Sequence, residues 1–428
     1  MPHTFLPQDQ IVWQLPVKNI QSCRQDMSVD IAIVGGGMAG LSVAYELSKR
    51  GLKAILLEQA YCGSGATGKS SGFVTSNAEL SFSDLLKRYP EKTAHDIWSL
   101  FNQGLESIRA TIKEHNLVCD YQEQDTLILA RTENDLKTLK AEYTALKVID
   151  DGAIFYTKEQ LQELVSSKNY YGAVDYTNSF GINGYAYCQE LKRIVEEKGI
   201  EVFEETPVVS IDGHTIITPH AKIRAEKIIV CVDRFLPELS RLEQEVYQVQ
   251  TFVMASERLT DKQIQNLFPQ KKYMCWDTDL IYNYFRITGE NRLLLGGGTP
   301  FSTYISKAYH DYKPIEQKLN SYLQTNFPQA DIQFEYSWPG LIGISKDIFP
   351  LVGPDKDQPF IYYISASAGL SVAAGLARYA VEHIFDQRAD LDEYLSPYRL
   401  FPIGGLLQSC LGKRVSFALS HLYYKNIP

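Results

Sequence analysis

The chain has 428 residues, 45% hydrophobic and 22% charged, with a formal net charge of −9 at pH 7; it can fill one large core or two ordinary ones. The acidic balance leaves no basic face for nucleic acid, which is excluded as a partner, and no run of about 18 apolar residues marks a transmembrane helix. Seven scattered cysteines form no C-x-x-C, and Met1 to Gln14 lacks the charged start and apolar run of a secretory leader, so a cytoplasmic protein is expected.

Residues 1–28 are polar with scattered prolines and read as an N-terminal arm over the surface, with Val12-Trp13 the part pinned down. Then comes the most informative stretch. Ile31, Ile33 and Val34 form a short β-branched run suited to a buried parallel strand, and Gly35-x-Gly37-x-x-Gly40 follows without a gap. Gly35 permits a sharp turn, Gly37 lets the backbone approach a pyrophosphate, and Gly40 lets the next helix pack tightly on the strand. That helix presents free N–H groups and a positive dipole end, near Met38 and Ala39, to phosphate. Leu52 to Leu57 returns as a second strand, and Glu58 at its end can accept both hydroxyls of a ribose. Strand, glycine turn, helix and an acid about 20 residues on make a dinucleotide fingerprint. Glu58 would repel a 2'-phosphate, which leaves FAD or NAD rather than NADP.

Gln59 to Phe73 is a loop rich in glycine and small hydroxyls, able to lie against a large planar ligand and donate to its polar edge. From Leu80 to about Lys147 apolar residues recur at steps of three and four, as in helices, interrupted by a strand at Leu127-Leu129. Thr157 and Gln160 form a capping box for a short helix. Gly184 to Lys198 reads as a helix, Ile200 to Phe203 as a strand, and 206–232 as a meander closing on a buried strand that returns to the parallel sheet. From about 236 to 335 the pattern is strands and hairpins, including Ile281 to Thr288 and Arg292 to Leu295. Finally a strand, Ile361 to Ile364, leads through a small-residue turn into the helix Val372 to Phe385, a second helix N-terminus able to meet an anion or carbonyl.

The fold expected is α/β: a three-layer domain of the FAD/NAD(P)-binding Rossmann-like type, with a second α+β substrate domain built on an antiparallel sheet. The first is expected to comprise 29–79, 148–235 and 336–400, and the second 80–147 and 236–335. Residues 401–428 remain as an apolar tail. Leu406, Leu407, Leu411, Val415, Phe417, Leu419 and Leu422, interspersed with Lys413 and Arg414, allow 401–424 to touch a membrane surface; the alternative is packing on the protein itself or on a second subunit.

On a strand through Tyr282-Asn283-Tyr284-Phe285-Arg286, alternation puts Tyr282, Tyr284 and Arg286 on one face, where two phenols and a cation can orient a polar substrate. The plainer alternative is a half-exposed sheet face. Lys69 is positioned to stabilise negative charge developing on a ligand, or is a solvated loop lysine. No histidine pair has metal-ligand spacing, so no metal is expected.

The ordered set Gly35-x-Gly37-x-x-Gly40, Glu58, Gly63-Ser64-Gly65-Ala66-Thr67-Gly68, Tyr284-Phe285-Arg286, Arg292 to Gly297, Asp347-x-x-Pro350-x-x-Gly353 and the Gly369 turn resembles the D-amino acid oxidase superfamily of flavoproteins. Gly65 to Lys69 and Val12-Trp13 are most similar to its gamma-glutamylputrescine oxidoreductase branch, which stands beside the glycine oxidases. The resemblance implies non-covalent FAD. Gly35, Gly37, Met38, Ala39 and Gly40 would hold its pyrophosphate, Glu58 and Gln59 the adenosine ribose, and the backbone of Val208 would face the adenine. Ser64, Gly65, Ala66, Thr67, Gly68, Ser70, Ser71 and Gly72 would run along the flavin, with Gly343, Gly369, Leu370 and Ser371 at its other edge.

It also implies hydride transfer from the carbon beside an amine nitrogen to the flavin, giving an imine that hydrolyses, with O2 or another electron acceptor taking the electrons. Four departures shape the expectation. Lys69-Ser70-Ser71-Gly72 replaces Arg-Asn-Gly-Gly, and Ala366 to Ser371 keeps one glycine of three. Ile342 stands where glycine oxidase has a carboxylate-binding arginine, and Leu294 where sarcosine oxidase has an oxygen-activating lysine. The substrate expected is therefore a small amine or derivatised amino acid. The alternatives are a 2-hydroxy acid or polyol dehydrogenase on the same fold, and a flavin-binding regulatory protein without catalysis.

Overall fold

The computed structural model describes residues 10–13, 20–77, 79–149, 152–233, 239–299, 312–401 and 403–425; most of the expected arm lies outside them. The first sheet is built on parallel strands. Met27–Val34 pairs with Ile55–Leu57 on one side and Lys222–Val230 on the other, Glu201–Phe203 extends it beyond Ile55–Leu57, and Ile361–Ser365 lies beyond Lys222–Val230. Leu351–Pro354 adds an antiparallel edge strand. Alternation along the first strand sorts its side chains. Ile31 and Ile33 face a layer of helices, while Ala32 and Val34 face the opposite side with Ile216 and Ile223 from the meander strands Thr215–Ile217 and Lys222–Val230. The meander strand Thr215–Ile217 pairs antiparallel with Lys222–Val230 and so extends this same sheet.

The second sheet has the order Phe334–Ser345, Val246–Arg258, Arg292–Gly297, Tyr284–Ile287, Met274–Asp277, Thr126–Leu129, Gly172–Tyr176, Ile154–Thr157. It is antiparallel except where Met274–Asp277 pairs with Thr126–Leu129. The sheets divide the chain differently from the expected boundaries. Phe334–Ser345 pairs along its length with Val246–Arg258, so 336–345 belongs to the second sheet, as do two strands from within 148–235. Conversely, Glu91–His115 leaves the substrate half and packs on Leu370–Asp386 of the first layer, sharing its apolar core. A Cβ on Gly104 would lie 2.0 Å from the Ser371 carbonyl oxygen, and one on Gly375 2.5 Å from that of Leu100. Bare backbone at both positions sets this close helix crossing.

Trp13 is pinned down as expected: its Nε1 donates to the Gly68 carbonyl at 2.9 Å, and its ring meets Trp338 edge-on at 5.6 Å. The tail folds as helices Gly405–Leu411 and Lys413–Lys425. Phe417 is buried against Tyr247, and His421 bonds the Ser345 carbonyl at 3.0 Å, so one face packs on the second sheet. Leu406, Leu407, Val415, Leu419 and Leu422 point outward. Among the described residues no helix is long and apolar enough to cross a membrane.

Candidate functional site

One cavity of about 910 Å³ runs between the two sheets, from Glu58 and Val208 at one end to Trp276 and Tyr282 at the other. It is at the upper end of ordinary ligand pockets. Its first end is built by the glycine turn. Gly35 has φ +106°, a conformation that disfavours a side chain, and its N–H donates to the Leu57 carbonyl at 2.8 Å. A Cβ on Gly40 would stand 1.8 Å from the Gly35 carbonyl oxygen. Glycine here lets the helix Met38–Lys49 start directly at the turn. Gly37, which precedes it, supplies no side-chain cap, so the helix N-terminus keeps amides for phosphate besides that of Met38, which the Thr67 hydroxyl accepts.

Glu58 is buried, and its carboxylate accepts the Gly36 amide at 2.7 Å and the Ala60 amide at 2.9 Å. Burial pushes its carboxyl up from the ordinary range, and those two amides oppose the shift. Each oxygen retains a lone pair for a ribose hydroxyl. The loop after Glu58 contains a short helix, Ala66–Lys69, and the Thr67 hydroxyl accepts the Met38 amide at 3.1 Å. The wall is thereby tied to the phosphate end.

Gly35, Gly37, Met38, Ala39, Glu58, Gln59, Ser64, Gly65, Ala66, Thr67, Lys69, Ser70, Ser71, Val208, Gly369, Leu370 and Ser371 all line the cavity, as do Tyr282 and Tyr284. Gly40, Gly68, Gly72, Gly343 and Arg286 are not part of that lining. Four of these are glycines that permit close backbone approach: a Cβ would meet the carbonyl oxygen of Gly63 at 2.1 Å from Gly68, of Ile182 at 1.8 Å from Gly72, and of Asp233 at 1.9 Å from Gly343.

Arg286 corrects the expectation of a substrate-facing cation. It is fully buried, its Nε donating to the Ser71 carbonyl at 2.5 Å and its Nη2 to the Ile182 carbonyl at 2.7 Å. It anchors the cavity wall from behind. Nor do the three candidates share a strand face, because the strand begins only at Tyr284. The Asp277 carboxylate takes the amides of Asp279 and Asn283, at 3.2 and 3.0 Å, and holds 277–283 as a turn. Tyr282 and Tyr284 nevertheless both reach the cavity; burial pushes the Tyr284 hydroxyl up to about 12.

Sequence reasoning missed Glu79, Thr251 and Trp276 in the lining, and passed over Asp277 and Asp279. They come from strands and loops far apart in sequence, so no local pattern marks them. Ile342 also lines the cavity. Leu294 does not; it is buried in a cluster with Val253 and Trp338. Trp338 is core, with its Nε1 on the Lys69 carbonyl at 2.9 Å.

An anion-ready helix start, a carboxylate placed for a ribose and a long cavity leading to a chamber on a second sheet define a dinucleotide-dependent oxidoreductase, and FAD fits the donors present. The model of the DAO family of FAD dependent oxidoreductases matches residues 30–383, and the chain belongs to that family. It is similar to the oxidoreductase OrdL of Haemophilus influenzae, 26% identical over 416 residues that cover 92% of this chain and 91% of that one. It is also 27% identical to gamma-glutamylputrescine oxidoreductase of Escherichia coli, over 87% of this chain and 89% of that one. Glycine oxidase from Geobacillus kaustophilus has the same fold, with a TM-score of 0.73, 19% identity, and coverage of 88% of this chain and 100% of that one.

Proposed function

We propose that this FAD-dependent oxidoreductase oxidises the C–N bond of a small amine or derivatised amino acid, giving an imine that hydrolyses. The observation that carries the reading is the single cavity joining the cofactor end to a polar, aromatic chamber. FAD, when bound, supplies the hydride acceptor. The chain's residues bind and orient. Thr251, Tyr282 and Tyr284 offer hydroxyls to a substrate nitrogen, and Lys69, in the wall beside Ser70 and Ser71, supplies positive charge where negative charge develops. Ile342 in the wall offers no bidentate grip on a free α-carboxylate, which favours an amine or a derivative over a plain amino acid.

FAD is held without a covalent bond in this reading. Cys62, beside the loop, is buried, and burial pushes its thiol well above the usual range, away from the reactive thiolate. The six buried free cysteines accord with a reducing cytoplasm, where we place the protein. Electrons pass to O2 or to another acceptor. The outward leucines of the tail are the feature that would bring the protein to a membrane surface and its quinones.

Anaerobic mixing of the FAD-loaded protein with a panel of amines, hydroxy acids and polyols tests the reading. Bleaching of the flavin absorbance by amines supports it. Bleaching by hydroxy acids or polyols alone, or by no member of the panel, overturns it.

A further inference from the structure

Most carboxylates in the cavity wall are already answered. Glu142 takes the amides of Phe82 and Ser83 and the Tyr176 hydroxyl. Asp277 takes two amides and faces Arg131 at 3.5 Å. Glu79 differs from both. Half-buried in the wall, it accepts the Tyr282 hydroxyl at 2.8 Å, and among the described residues it forms no ion pair.

Beside it four rings close on one another. Phe73 lies 5.8 Å from Trp276, Trp276 6.3 Å from Tyr282, Tyr282 6.0 Å from Tyr284, and Tyr284 returns edge-on to Phe73 at 6.1 Å, all centroid to centroid. All four line the cavity and stay half-buried, unlike Trp338, whose ring is wholly enclosed. An aromatic face attracts a cation through its quadrupole, and a carboxylate at the rim adds Coulombic attraction that is weakly screened away from bulk water. The same carboxylate repels an anionic substrate end.

We infer that this box and Glu79 take a positively charged nitrogen. The substrate then carries an ammonium group remote from the carbon that is oxidised, as in a diamine or a quaternised alkylamine. This deepens the proposed amine oxidation and rests on it: the distal charge is held while the reacting nitrogen is neutral.

The test uses two unreactive probes on the FAD-loaded protein, choline and its uncharged isostere 3,3-dimethylbutan-1-ol, titrated by calorimetry. Choline should bind about tenfold more tightly or better, the scale of a desolvated cation–π contact. Glu79→Gln and Trp276→Leu should each remove most of that preference while the isostere's affinity changes little. Retained flavin absorbance in each variant shows that it has folded. Equal affinities in the unaltered protein, failure of choline to bind at millimolar concentration, or a preference that survives both substitutions overturns the inference. The two readings fail separately, because bleaching by simple monoamines measures amine oxidation alone. A protein bleached by monoamines yet indifferent to choline keeps the function and loses the box.

Discussion

The two ends of the cavity are made in different ways. The cofactor end comes mainly from one stretch, Val34 to Ser71, in which each residue's place follows from a near neighbour: turn, helix start, strand, acid. The chamber is assembled from Phe73, Glu79, Thr251, Trp276, Tyr282 and Ile342, which come from strands and loops far apart in sequence. Short-range backbone geometry fixes the first end, and long-range register fixes the second. The cofactor end therefore tolerates no extra atom at Gly35 or Gly40, whereas the chamber can exchange side chains and with them substrates.

The sharpest attempt to break this contrast is Gly40→Val. A Cβ at 40 would lie 1.8 Å from the Gly35 carbonyl oxygen, so the helix must lift off the turn. Near-complete loss of bound FAD is expected, read from flavin absorbance per chain, with a large fall in melting temperature. Thr251→Ala in the chamber should leave FAD retention within about twofold, since it removes one hydroxyl and no backbone contact.

A second attempt probes the joint between the ends. Arg286 belongs to the second sheet but donates to the carbonyls of Ser71 and Ile182 in the cofactor wall. Arg286→Leu leaves both carbonyls unanswered, at about 1–3 kcal/mol each. Urea unfolding should show that loss, and FAD affinity should fall although Arg286 is not part of the cavity lining. Unchanged FAD affinity would mean that the two ends are independent.

The same division explains what could be read in the sequence. Ile31 to Glu58 announced strand, turn, helix and ribose acid because each step constrains the next within a few residues. Tyr282 and Tyr284 were legible as a pair with phenols to offer, yet the alternation behind their grouping with Arg286 failed, since Asp277 holds 277–283 as a turn. Alternation also cannot tell a cation facing a cavity from one buried behind it. The boundary expected at 336 does not follow the sheets, since Phe334–Ser345 runs as one long strand beside Val246–Arg258. Glu79 had no local pattern at all.

The second sheet also carries a charge cost of its own. Asp175, in Gly172–Tyr176, is buried, and burial, with Asp125 adding to it, pushes its carboxyl up to about 7. An unfolded aspartate titrates near about 3.9. Because the folded value is the higher, the native state holds the proton more tightly, so stability falls as pH rises from about 4 to about 7 and is level above that. Asp175→Asn removes the dependence. Its melting temperature should exceed that of the unaltered protein at pH 8, by at most about 4 kcal/mol of stability, and match it near pH 4. A gain equal at both pH values would assign the effect to packing instead of charge.

The smallest expected effect lies at the turn before Leu370–Asp386, which holds Ala366, where the resemblance leads one to expect glycine, and Ala368. Both are left-handed, with φ of 53° and 42°. An L-residue other than glycine pays about 1 kcal/mol there, while glycine loses more freedom on folding, so the two terms partly offset each other. Ala366→Gly should therefore stabilise the protein by less than about 1 kcal/mol, seen as a rise of a degree or two in melting temperature. Its effect on FAD sharpens the contrast between the two ends. If the turn is as exacting as Gly35 to Gly40, relief of strain will tighten FAD binding along with the fold; if it behaves like the chamber, the melting temperature will rise and FAD affinity will stay where it was.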